Sequence, residues 1–266
     1  MVRLLRNSLS YTAVLFVILV VIAPVTGIYV EGFSVGWDAF WSEVTSPMAW
    51  SSLMLSIQLA LVATLINLVI GTTLAWTLVR YRFWGRGFLN ALIDLPFALP
   101  TAVSGLILLM LLGPESWLGQ LAQRVGFEIV FQPPAIVLAM MFATFPFVIR
   151  TVQPLLEEID KGEEEAAYTL GARRFTTFRK VIFPAIRSGL IGGGLLAYSR
   201  SLAEFGAVVL VAGNIPGKTL LASVYIFGEV ESANPQGAAA VSIMLLTVSF
   251  LILLSINLFL NRRVSR

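Results

Sequence analysis

The chain has 266 residues, 58% of them hydrophobic and 12% charged, with a formal net charge of +3. Its mean hydropathy of +0.87 leaves too few charged side chains to clothe a soluble domain of this length, so an integral membrane protein is expected. Cysteine and histidine are both absent, which excludes disulfides, thiolate nucleophiles, imidazole bases and the usual zinc ligands.

Taken in chain order, Arg3 and Arg6 precede an apolar run that begins at Ala13. The run continues through Pro24 to Val30 with no small-x-small site after it, so it reads as an uncleaved first span rather than a signal peptide. About 20 apolar residues cross the hydrocarbon core, and six stretches qualify: 11–30, 52–79, 89–112, 131–149, 189–211 and 238–260. The fourth is short, because Pro133 and Pro134 belong in a first helical turn and not in a helix middle. The prediction is an all-α polytopic protein with six transmembrane helices forming one domain over residues 1–266. No internal repeat or soluble domain is evident. The end of the chain at Arg266 carries the expectation that no sensing domain is appended.

The bases set a direction, since short cytoplasmic connections hold the excess of Lys and Arg. Arg80, Arg82, Arg86, Arg150, Lys161, Arg173, Arg174, Arg179, Lys180 and Arg187 fall on one side together with the basic residues of both termini. Arg124 and Lys218 fall on the other, and Arg200 lies within a span. Both termini are therefore expected in the cytoplasm. Trp37, Trp41, Trp50 and Trp117 sit on the outer side, where aromatic anchors belong. This distribution explains the positive charge without nucleic-acid binding.

The connection over residues 150–188 holds six acids and seven bases. Glu163, Glu164 and Glu165 suit the positive end of a helix dipole, Ala166 and Ala167 favour helix, and Gly171 suits a left-handed cap. A second helical piece is expected from Arg173 to Ile182, stopped by Pro184. Periodicity alone is satisfied by an amphipathic linker between spans. The small alanines and the redirecting glycine also suit a docking surface.

The order Glu165, Ala166, Ala167, three residues, Gly171, nine residues and Val181-Ile182-Phe183-Pro184 resembles the EAA motif of permease subunits of ATP-binding cassette (ABC) importers. Val181 and Phe183 stand where that motif has isoleucine and leucine. The resemblance implies the type I importer permease fold. It also implies that Glu165, Ala166, Ala167, Gly171 and Ala172 belong to a coupling helix that docks on an ATPase subunit. The segments 93–106, 145–158 and 201–219 look like those of the T-type permease of sulfate/thiosulfate importers. Molybdate and tungstate permeases, which share the EFGA and NIPG region, are the alternative.

The resemblance further implies location in a bacterial cytoplasmic membrane and three kinds of partner besides membrane lipid. These are ABC ATPase subunits that use ATP and Mg, an external substrate-binding protein, and a second permease. The second permease is of the W type in a heterodimer, or a second copy if the chain is of the molybdate kind. No cofactor is expected on this chain, and no enzymatic activity. An intramembrane enzyme is the remote alternative, for which only Asp94, Glu204 and hydroxyls remain as reactive groups.

Three other stretches invite a chemical reading. Gly213 to Thr219, GNIPGKT, has three residues where a phosphate-binding loop needs four, and reads as a turn. Arg200 and Glu204 stand four apart, about 18 Å into the fifth span by helical rise. Charges at that depth pair with each other or face the bundle interior, so these two, with Ser199 and Ser201, are candidates for a gate or pathway lining. Pro96 and Pro100 predict a kink in the third span, with Asp94 paired to an arginine and Thr101 and Ser104 near the path. Gln58, Thr64 and Asn67, with Gly71, suit interhelical hydrogen bonds or a polar lining, and the run Gly192 to Gly194 suits close helix approach or a hinge.

Overall fold

A computed structural model describes residues 11–12 and 14–264, side chains excepted at 161, 253 and 255–264. Helix α1 is Val14–Gly32, followed by α2 (Trp37–Val44) and α3 (Pro47–Arg80). The next helices are α4 (Arg86–Ile93), α5 (Leu95–Ala98), α6 (Thr101–Leu112) and α7 (Trp117–Arg124). Then come α8 (Pro133–Glu158), α9 (Lys161–Thr169) and α10 (Arg174–Leu202). Three more follow, α11 (Gly206–Val211), α12 (Ala222–Glu231) and α13 (Pro235–Val264).

Helices α1, α3, α8, α10 and α13 are long and apolar enough to cross a membrane. The pair α6 and α7, bent by 53° at its break, brings the candidate spans to six. The basic residues of the N-terminus and those at the C-terminal end lie outside the described residues or side chains.

The bundle centre is α3 against α8 and α10, and the reason is written in small residues. Along α3 the buried positions are Ala49, Ser52, Leu53, Ser56, Ala60, Ala63, Thr64, Asn67, Gly71, Ala75 and Leu78, a helical stripe that lets backbones approach. A Cβ on Gly71 would meet Val148 of α8 at 2.9 Å, and one on Gly189 of α10 would lie 2.5 Å from the Thr151 carbonyl oxygen. Gly193 is equally close to Thr151, whereas Gly192 faces open space. One polar side chain of this seam donates across helices. Asn67 Nδ2 donates to Thr144 Oγ1 (2.9 Å) and to the Met141 carbonyl (3.1 Å). A second cluster at the α2 end joins Phe40, Val44, Leu53, Tyr225, Val241 and Ile243. The first part of α1 is exposed from Val14 to Ile22, whereas its end packs on α13, where a Cβ on Gly32 would meet Ile243 at 2.5 Å.

The helix boundaries depart from expectation in several places. Pro184 does not stop a helix, because α10 runs through it to Leu202. The turn before the proline widens into a π segment, Phe178–Ile182, in which the Phe183 N–H reaches the Phe178 carbonyl. That spacing makes room for a ring that would collide with the carbonyl four residues back in an ordinary α-turn. The same device recurs in α1, where Ile18–Ile22 is a π segment ahead of Pro24 and the Ala23 N–H reaches the Ile18 carbonyl.

The third and fifth predicted spans are also not continuous. The third breaks into α4, α5 and α6 around Asp94 and Leu99-Pro100, where proline withholds the N–H. The fifth breaks at Ala203–Phe205 between α10 and α11. The fourth helix is longer than expected, since α8 continues beyond Arg150 to Glu158.

The close approach of α10 to α8 predicts a contrast between neighbouring glycines. Gly189→Val forces a methyl against backbone and lowers stability by about 1–3 kcal/mol, whereas Gly192→Ala leaves the melting temperature of the detergent-solubilised protein unchanged or higher. Equal melting temperatures for the two variants would contradict this packing.

Candidate coupling surface and translocation path

Helix α9 is closed at both ends by its own sequence. Asp160 caps the start, its Oδ1 accepting from the Gly162 N–H at 2.9 Å, with Glu163 and Glu164 in the first turn. At the other end Gly171 takes φ +80°. The Ala172 N–H then reaches the Ala167 carbonyl (3.0 Å), and the Gly171 N–H reaches that of Tyr168 (2.9 Å). This pair of bonds is the Schellman closure that a left-handed glycine permits. A Cβ at Gly171 would meet nothing within 4 Å, so glycine is required here for conformation and not for space.

Glu165 and Ala166 are exposed, and Ala167 and Ala172 are half-buried. Beside them Leu170 is 89% and Phe175 74% exposed, two apolar side chains flanking the turn that the sequence reading passed over. Their signal was present as apolar residues between charges. Glu164 ties this surface to the bundle by an ion pair with Arg80 at the end of α3. Arg80 also lies 5.5 Å over the ring of Trp76, a favourable place for a guanidinium.

The broken third segment is latched to α8 by Arg150. Its Nε and Nη2 donate to the two carboxylate oxygens of Asp94 (2.8 and 2.6 Å). Nη1 donates to Asn90 Oδ1 at 2.8 Å and Nη2 to the Asn90 carbonyl at 2.9 Å. Arginine alone has the planar fork for this geometry. The expected arginine partner of Asp94 is thus Arg150.

Farther along, Arg200 and Glu204 meet as expected, but not on one continuous helix face. Helix α10 ends at Leu202, and Glu204 lies in the break before α11. Its carboxylate is fully buried; Oε1 accepts from the Ala207 N–H at 3.0 Å, in the first turn of α11. Oε2 lies 2.8 Å from Arg200 Nη1 in ion-pair contact without an aligned hydrogen bond. The Glu204 carbonyl accepts from Ser223 Oγ at 2.9 Å.

Arg200 lines a cavity of about 290 Å³ together with Pro96, Phe97, Pro100, Thr101, Ser104 and Ala143. Ser199 and Ser201 are not in that lining. The Ser201 hydroxyl faces Thr144 at 3.4 Å, and the Ser199 hydroxyl is buried without a partner. The wall between α6 and α11 is very close: a Cβ on Gly206 would collide with Thr101 and sit 3.0 Å from the Ala102 nitrogen, and one on Gly105 would lie 2.6 Å from the Ala207 carbonyl oxygen. At Asn214, φ is +53° and the turn closes by the Ile215 N–H donating to Thr219 Oγ1 (3.0 Å). This places GNIPGKT in a compact turn and not in a phosphate-binding loop.

Residues 67–266 match the family model described as the binding-protein-dependent transport system inner membrane component. The chain belongs to this family of transport permeases. Among relatives of this permease, a probable sulfate transport system permease protein of Chlorella vulgaris is 45% identical, covering 85% of each chain. The sulfate transport system permease protein of Salmonella typhimurium is 42% identical over 94% of this chain and 91% of its own. A chain of a bacterial ABC transporter that imports the acidic polysaccharide alginate superposes with a TM-score of 0.80 at 18% identity, covering 99% of this permease and 96% of that chain. The shared fold is that of type I ABC importer permeases.

The α6–α11 wall supplies a test. Gly206→Ala should destabilise the permease by about 1–3 kcal/mol, and Thr101→Ala in the same chain should recover part of that loss in thermal unfolding. A silent Gly206→Ala would contradict the close approach.

Proposed function

We propose that this permease carries sulfate, with thiosulfate in the same chemical class, across a bacterial cytoplasmic membrane as one subunit of an ABC importer. The observation that carries the cargo is the 42% identity over 94% of the chain to a sulfate permease. Sulfate permeases at 40–45% identity favour sulfate over the molybdate alternative. The chain itself catalyses no chemistry. Separate ATPase subunits use ATP and Mg, a second permease of the W type completes the path, and an external binding protein delivers the anion.

The basic side, with α9, faces the cytoplasm, and Glu165, Ala166, Ala167, Gly171 and Ala172 form the surface on which an ATPase docks. Leu170 and Phe175 add apolar area to that contact. Force enters along two rods. Helix α10 leads from the docking turn to Arg200, about 40 Å by helical rise over its 29 residues. Helix α3 receives it through Glu164 and Arg80. ATP binding draws the docked subunits together and opens the path outward; hydrolysis returns it inward. Arg200 lines the path at the cavity with Glu204 buried beside it as its counter-ion, while Ser199 and Ser201 support α10.

Vesicles reconstituted with the full complex test the reading. Labelled sulfate should enter only while ATP is hydrolysed, and molybdate should fail to compete. ATP-independent flux, or competition by molybdate at equal concentration, would overturn it. Gly171→Leu forces a branched residue into a left-handed conformation at a cost of about 1–2 kcal/mol. It should cut ATP-driven uptake at least tenfold while the chain still inserts; wild-type uptake would remove the coupling role.

A further inference from the structure

Arg200 is the one charged group among the described residues lining the 290 Å³ cavity, and its side chain is 35% exposed. The volume is comparable to that of about ten liquid waters, room for a small oxyanion and part of its hydration shell. A guanidinium carries five N–H donors. Here one nitrogen, Nη1, meets Glu204, which leaves the other donors for the cavity. The remaining wall offers the hydroxyl-bearing residues Thr101 and Ser104 and the first turn of α6, the end where a helix dipole is positive.

The two partners are held unequally. Glu204 is fully buried, is fixed through Oε1 by the Ala207 N–H and is anchored through its carbonyl by Ser223. Arg200 has only the imperfectly aligned contact to Oε2, so it is the member free to turn. A fixed carboxylate beside a movable guanidinium stores a neutral pair when the cavity is empty and releases a cation when an anion arrives.

We propose that Arg200 and Glu204 form a charge-exchange step in the path. A divalent tetrahedral oxyanion entering the cavity draws the guanidinium donors away from Glu204. The carboxylate, left without its counter-ion, then repels the anion and reclaims Arg200 as it leaves. The arginine lowers the barrier to entering the membrane interior, and the glutamate prevents the anion from being trapped there. This deepens the proposed function and rests on its anionic cargo.

The test uses vesicles holding the whole complex, with sulfate as the probe and binding protein outside. The charge-free variant Arg200→Gln/Glu204→Gln keeps side-chain size while removing both charges. It should retain ATP hydrolysis stimulated by loaded binding protein but lose sulfate uptake at least tenfold in kcat, and Arg200→Lys should recover most of it. Wild-type uptake by the charge-free pair would reduce Arg200 and Glu204 to a packing contact and overturn the proposal. A second measurement leaves the pair intact: Ala143→Glu, which adds a fixed anion to the cavity wall, should slow uptake at least fivefold more than Ala143→Gln. Equal effects would also overturn it. If the unsubstituted complex moves another oxyanion instead of sulfate, the cargo reading fails, and the same variants test the exchange with that oxyanion. Transport of only neutral solutes would sink both.

Discussion

A carboxylate with no access to solvent can persist inside a membrane protein only if hydrogen bonds and an opposite charge replace its water. Glu204 is in that position, and its two oxygens serve different masters. One accepts from the first turn of α11 and the other faces Arg200. The break between α10 and α11 is therefore not a defect in a span. It is where an unwound backbone and an ion pair satisfy each other, and irregular backbone at membrane depth is tolerated where it is buried in protein or lines a cavity.

The break in the third segment lies against the same place. Pro96 and Pro100 interrupt the chain at one wall of the cavity, while Gly105 and Gly206 let α6 approach α11 to a distance that admits no side chain. The Arg150 latch on Asp94 and Asn90 holds the preceding pieces to α8. Rigid contacts thus surround one adjustable group, Arg200. The continuous helix from Arg174 to Leu202 connects that group mechanically to the turn at Gly171, and its π segment is what allows the rod to pass Pro184 unbroken.

Much of this was legible in the residues. The long apolar stretches announced the spans, Gly171 after a run of helix formers announced the left-handed cap, and Asp94 among arginines announced an ion pair. Pro184 was misread because proline ends helices by local rules, whereas a π segment formed one turn earlier removes the clash. The break at Ala203–Phe205 carries no proline, and Gly206 directly after it is its one local mark. Its cause is the Glu204 carboxylate bonding to the backbone of Ala207, a contact visible only in three dimensions. The short helices α2, α7 and α12 lack the length that hydropathy detects, and the exposure of Leu170 and Phe175 depends on which way the α9 turn faces.

The account rests on the cavity beside Arg200 being a wet station on the path. Because the chain has no cysteine, a single introduced thiol reports on one place. In the reconstituted complex, a charged membrane-impermeant thiol reagent should modify Ala143→Cys on the cavity wall, with sulfate slowing the reaction during turnover. It should leave Ala139→Cys, at a fully buried position of the bundle core, unmodified; the complex of the cysteine-free chain sets the background. Failure to label Ala143→Cys in any nucleotide state, or equal labelling at the two positions, would contradict the account.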